Sequence, residues 1–107
     1  MTPRRFEVWL CNFDPAVGRE IRKVRPAVVV SPDEVNRHVS WFTMAPMTTG
    51  SFAYATRVVT RFEGREAAVV VDQLRCMDRV RLIRPMGELD PAARVGLLSA
   101  LGAFFAP

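Results

Sequence analysis

Residues 6–13, Phe-Glu-Val-Trp-Leu-Cys-Asn-Phe, alternate in polarity and are rich in aromatic side chains. Alternation sends successive side chains to opposite faces of an extended chain, so this segment predicts a strand, ended by Asp14-Pro15. Residues 14–24 are charged and carry Gly18 near their centre, which predicts a loop. Residues 25–31 form a continuous apolar run after Arg25, predicting a strand buried on both faces. Ser31-Pro32-Asp33-Glu34 has the composition of a helix start, with Ser31 as N-cap, Pro32 at the first helical position and acidic residues in the first turn. A single helical turn to about His38 is expected. Residues 40–48 predict a third strand and residues 49–55 a loop carrying Gly50, Phe52 and Tyr54. Residues 56–62 alternate again. Glu63-Gly64-Arg65-Glu66 predicts a hairpin turn in which Gly64 supplies positive φ. Residues 67–73 and the shorter 79–84 complete the strands.

Asp90-Pro91 then opens a helix to about Phe105, with Asp90 as N-cap and Pro91 at the first helical position. Val95, Leu97, Leu98, Leu101, Phe104 and Phe105 cover more than the one stripe that a surface helix needs. The excess is met either by a partner subunit or by a tail tucked across the sheet. Short strands with turn signals and one terminal helix predict a mainly β fold: a small barrel of about five to seven strands with a C-terminal helix. The core of such a barrel is filled, so function belongs to loops and strand ends.

At 107 residues, half of them hydrophobic, the chain has the size and apolar content of one domain spanning 1–107. Net charge is +4, and of 15 basic residues only Lys23 is not Arg. That bias fits a phosphate-binding surface and equally fits the base composition of a genome. Cys11 and Cys76 form no CxxC motif and no disulfide framework, and Cys11 reads as a small core residue. No signal-like apolar segment follows the basic start, and no run reaches the roughly 18 apolar residues of a membrane span. A soluble, cytoplasmic protein is expected.

The only histidine, His38, sits in the short polar turn and reads as a surface residue, so two-histidine ribonuclease chemistry within one chain is excluded. No cluster has metal-ligand spacing and no Gly-rich phosphate loop or nucleophile elbow appears. What remains is Arg25 at the mouth of the second strand, whose planar, permanently charged fork suits phosphate. Thr48 and Thr49 end the neighbouring strand and bring two hydroxyls. Donors aimed where charge develops supply about 3–4 kcal/mol each. Such an array lets the 2′-OH of RNA attack its own phosphodiester with no metal and no cofactor. Arg25 is then the phosphorane stabiliser. Glu20 is either a base or orienting group for Arg25, or a surface partner of Arg22 or Lys23. Arg19, Arg22 and Lys23 draw in the RNA backbone. Phe52 and Tyr54 either stack on bases or fold onto the core. Asp72 and Gln73 either read base edges or form a polar pair pinning strand ends.

These residues, in order, resemble the MazF/PemK family of toxin endoribonucleases. The resemblance runs over essentially the whole chain: Glu7-Val8-Trp9 through Asp14-Pro15, Gly18-Arg19-Glu20, Arg25-Pro26-Ala27-Val28-Val29-Val30, Pro46-Met47-Thr48-Thr49, Asp72-Gln73 and Asp78. It implies an SH3-like barrel, also shared by the CcdB class, and a homodimer. It further implies metal-independent cleavage of single-stranded RNA at short sequences, leaving 2′,3′-cyclic phosphate and 5′-hydroxyl ends. The resemblance implies a MazE-like antitoxin whose flexible acidic tail covers the RNA groove. It maps the family's catalytic Arg and Thr onto Arg25 and Thr48, puts Gly18 and Glu20 in the active-site loop, and sets Asp72 and Gln73 near the RNA. Some members have Arg where this chain has Val70, and His where it has Arg19; both departures favour chemistry built on Arg25 and Thr48. Two other readings are a gyrase poison of the CcdB class and a nuclease-dead binding module. Against the first, the chain ends Ala103-Phe104-Phe105-Ala106-Pro107, without the C-terminal Trp of that class.

Overall fold

The computed structural model describes residues 1–49 and 57–107. The strands are β1 (Glu7–Asn12), β2 (Val24–Val29), β3 (Trp41–Thr49), β4 (Arg57–Phe62), β5 (Arg65–Val70), β6 (Arg75–Asp78) and β7 (Leu82–Glu88). A helical turn, α1 (Asp33–Asn36), joins β2 to β3, and α2 (Pro91–Phe105) ends the chain. The strands form one antiparallel sheet in the order β4-β5-β3-β2-β1-β7, with β6 also paired to β3.

β3 organises this sheet. One edge pairs with β2 from Met44 to Pro46; the other is divided, with β6 along Trp41–Met44 and β5 along Met47–Thr49. Thr43 accepts Val30 N–H towards β2, so by alternation Pro46 turns its nitrogen to the divided edge. There it meets the gap between the two partners, where a residue without an N–H forfeits no ladder bond.

The period of two sorts the core. Val28, Val30, Ala45, Met47, Val69 and Val71 pack on one face beneath Leu89, Ala93 and Leu97. Trp9, Cys11, Phe13, Ala27, Val29, Phe42, Met44, Met77 and Leu82 pack on the other. The run after Arg25 is therefore buried on both faces, as its unbroken apolar character predicts, and polar function is displaced to the sheet's ends.

Some local expectations are corrected. Ser31 is not a helix cap: Pro32 occupies the N-cap position in an extended conformation and makes no side-chain cap bond. Instead the Ser31 hydroxyl donates to Asn36 Oδ1 (2.7 Å) and accepts Thr43 N–H (3.1 Å). Asn36 Nδ2 in turn donates to Pro3 O and Ser31 O, at 3.2 and 3.0 Å. This buried network ties the N-terminus, α1 and β3 together. β5 stops at Val70, and residues 71–73 form a 3₁₀ turn instead of a strand end. β6 was not foreseen, because only Met77 of its residues is buried. Residues 79–81 form a 3₁₀ turn capped by Asp78, whose carboxylate accepts Val80 N–H at 3.0 Å, and β7 runs later than predicted. Pro85 and Gly87 obscured β7; both are tolerated because it is an edge strand with register shifts against β1.

The β4–β5 hairpin closes on Phe62–Arg65 with Glu63 (φ 51°) and Gly64 (φ 76°) both left-handed. That is the type I′ requirement, so Glu63 shares the positive φ that the sequence assigned to Gly64 alone. Asp90 caps α2 by accepting Ala92 N–H at 3.1 Å. One face of α2 buries Ala93 and Leu97, while Val95, Leu98, Phe104 and Phe105 remain exposed on this chain. Phe105 keeps 70% of its surface, so the tail is not tucked across the sheet.

Burial pushes the Cys11 thiol from its usual 9.0 to about 12, whereas Cys76 is exposed. A thiol reagent should modify Cys76 in the native protein and reach Cys11 only after denaturation. Because the folded state keeps a proton that the unfolded state releases, stability should fall as pH rises from about 9 towards 12, and less so in Cys11→Ala. Denaturant melts across that range check the sign. Asn36→Ala should cost about 2–3 kcal/mol by orphaning buried partners, against under about 1 kcal/mol for Val35→Ala on the exposed side of the same turn; urea melts of the two variants measure the difference.

Candidate active site

Arg25 leaves the sheet where β2 emerges from the 14–24 loop. Its Nε donates to Arg22 O (3.0 Å), which leaves both terminal guanidinium nitrogens unused among the described residues. The base of the loop is closed by Phe13 N–H to Lys23 O (2.8 Å) and Lys23 N–H to Asp14 Oδ1 (3.0 Å). Lys23 takes a left-handed φ of 70°, which turns the chain into β2. The β2–β3 register, carried two residues past Ala27–Pro46, sets Arg25 against Thr48. Both line a hollow of about 380 Å³ together with Met47, Thr49, Glu63 and Arg65. The Thr48 hydroxyl oxygen is buried there with no hydrogen-bond partner among the described residues. A buried hydroxyl without a partner is unfavourable by about 1–3 kcal/mol, and Thr48 is also a wall residue of the hollow.

A second hollow, of about 340 Å³, is lined by Arg19, Glu20, Ile21, Asp72, Gln73 and Arg75, with Pro46 at its wall. The 3₁₀ turn at residues 71–73 places Asp72 and Gln73 beside the gap at Pro46. Gln73 Oε1 accepts Ile21 N–H at 2.8 Å, tying the loop to that turn across the fold. Its amide nitrogen has no hydrogen-bond partner among the described residues. The Asp72 carboxylate is exposed and has no partner among the described residues. Arg75 donates to Phe13 O at 2.9 Å. Gly18 holds φ 59°, and the Arg22 guanidinium donates to its carbonyl.

The two hollows divide the sequence-derived set. Arg25, Thr48 and Thr49 meet in the first; Arg19, Glu20, Asp72 and Gln73 meet in the second. Gly18, Arg22 and Lys23 stand exposed on the loop. Glu20 does not share Arg25's hollow, nor does it pair with Arg22 or Lys23. Its carboxylate accepts Val17 N–H at 2.6 Å, closing its own turn, and faces the hollow of Asp72 and Gln73. Phe52 and Tyr54 lie outside the described residues. Glu63 and Arg65, read from sequence as a hairpin turn, and Arg75, which falls between the predicted strands, also line the hollows. His38 is exposed, and no group of three His, Cys, Asp or Glu side chains among the described residues is placed to hold a metal ion.

The family model of the PemK-like, MazF-like toxins of type II toxin–antitoxin systems matches residues 4–105. The chain is 32% identical over 108 aligned residues to Endoribonuclease MazF9 of Mycobacterium tuberculosis, covering 92% of each sequence. It superposes on the crystal structure of MazF from Deinococcus radiodurans with a TM-score of 0.85 at 25% identity, covering 97% of this chain and 96% of that one. The MazE–MazF crystal structure (Form-II) from the same organism gives a TM-score of 0.79 at 25% identity and the same coverage. A match over this span, on a sheet that carries the Arg25–Thr48 hollow at its end, means that the chain belongs to the PemK-like, MazF-like toxins of type II toxin–antitoxin systems.

Proposed function

We propose that this chain, a toxin endoribonuclease of the MazF/PemK kind, cuts single-stranded RNA sequence-specifically and without metal in the hollow shared by Arg25 and Thr48. The observation that carries the reading is the buried, unpartnered Thr48 hydroxyl in the same hollow as the free end of the Arg25 guanidinium. In the reaction the 2′-oxygen bonds to the adjacent phosphorus and the bond to the 5′-oxygen breaks. The products are a 2′,3′-cyclic phosphate and a 5′-hydroxyl. Negative charge grows on the non-bridging oxygens, where the two free nitrogens of Arg25 and the Thr48 hydroxyl donate. Arg25 keeps its charge at any working pH, so its contribution is electrostatic.

Thr49 extends the donor array at the mouth of the hollow. Arg19, Arg22 and Lys23 border the path of the RNA backbone, and Gly18 gives their loop its left-handed turn. Asp72 and Gln73 present a free carboxylate and a free amide nitrogen to bases entering the second hollow. The exposed apolar face of α2 is the surface for a second copy of the chain. The Deinococcus radiodurans relative was crystallised with MazE, and a MazE-like antitoxin with an acidic tail is the matching partner here, laid over the basic loop. The toxin acts in the cytoplasm, where its RNA is.

Arg25→Ala should lower cleavage by at least about 10²-fold, and Thr48→Val by about 10-fold or more, with melting temperatures close to the parent. Turnover of a fluorogenic RNA by folded variants checks both, and near-parent rates would sink the assignment. EDTA should leave cleavage intact, and the fragments should carry 5′-hydroxyl ends by direct end-labelling. RNA affinity should fall with rising salt, because Arg contacts release counterions; inhibition by EDTA that Mg²⁺ reverses would mean a different chemistry.

A further inference from the structure

Resting on the cleavage reading above, we propose that Glu63, at the tip of the β4–β5 hairpin, is the proton acceptor for the attacking 2′-OH, and that Arg65 is a second phosphate ligand. Cleavage by 2′-OH attack needs a group to take the hydroxyl proton, and Arg25, always charged, is not one. Glu20 is in the neighbouring hollow with its carboxylate bound to Val17 N–H. Glu63 is the only carboxylate that lines the hollow of Arg25 and Thr48 among the described residues.

Two observations set Glu63 apart from an ordinary turn residue. Its side chain and that of Arg65 have no hydrogen-bond or ion-pair partner among the described residues, although both border a concave site. Its φ of 51° belongs to the left-handed region, at a hairpin position where Asn, Asp or Gly is favoured. A glutamate held there against local preference is the pattern of a site residue kept for its side chain.

The charged groups around Glu63 are Arg25 from β2 and Arg65 from β5; Arg61 of β4 is turned to Gly64 O at 3.0 Å. Both guanidiniums and the Glu63 carboxylate line the one hollow, so a phosphate bound by the two cations lies in the same site as the carboxylate. In the step, the proton on the 2′-oxygen passes to Glu63 as that oxygen bonds to phosphorus. The 5′-oxygen leaves with the electron pair of the broken bond and takes a proton from water. Glu63 then returns its proton to solvent.

The test measures kcat against pH for the parent, Arg25→Ala, Glu63→Gln and Glu63→Asn on one RNA, with melting temperatures of each. Glu63→Gln should lower kcat by about 10²-fold with little change in KM, and should abolish the acid limb of the profile. Glu63→Asn should do the same while raising the melting temperature, because it gives the turn the Asn-Gly pair that type I′ hairpins favour. A merely structural Glu63 would instead give a more stable and fully active variant. Glu63→Gln within about threefold of the parent, with Arg25→Ala still crippled, overturns the inference and leaves the cleavage reading intact. Parent-like rates in both variants overturn the two together. Arg65→Ala should raise KM for RNA and steepen no other limb; unchanged KM removes the second phosphate ligand.

Discussion

A single absent N–H group shapes the functional end of this molecule. Pro46 faces the divided edge of β3, and no strand pairs with it there. β5 and β6 attach on either side, and the chain between them has room to coil into the 3₁₀ turn at residues 71–73. That turn carries Asp72 and Gln73 to the loop that precedes β2. The same gap separates the second hollow from the first, which lies further along β3 at Thr48 and Thr49. A continuous ladder along β3 would hold residues 71–73 in register and leave neither the turn nor the hollow beside it.

The arginines are positioned mainly through carbonyls. Arg22, Arg25, Arg75 and Arg81 donate to backbone oxygens of Gly18, Arg22, Phe13, Asn12 and Asp14. The one ion pair among the described residues, Arg94–Glu88, lies away from both hollows. A carbonyl fixes a guanidinium without neutralising it, whereas a carboxylate does both. The loop therefore gains order and keeps its positive field for an anionic polymer.

Much of this was legible in the chain because hydrophobic periodicity and helix punctuation are local signals. The strand around Trp9, the doubly buried run after Arg25, the cap at Asp90 and the hairpin at Gly64 were each written in a few neighbouring residues. The misreadings share a cause. Ser31 lies next to a proline and an acidic pair, yet its hydroxyl is taken by Asn36 and by the β3 backbone, a tertiary competition that composition does not report. β6 gains its pairing from β3 and not from its own side chains. The membership of each hollow depends on where β3 changes partner, so Glu20 looked close to Arg25 in sequence while Glu63 and Arg65 looked remote.

The hydrogen bond from Ile21 N–H to Gln73 joins two segments that sequence drift would otherwise alter separately. Reshaping the loop moves the residue that holds the turn, and replacing the turn residue releases the loop. On the proposed reading, in which these two segments face the RNA, recognition changes by paired steps, so altered RNA preference in a lineage is expected to leave its trace as coordinated substitution of the two segments while the sheet beneath them stays the same.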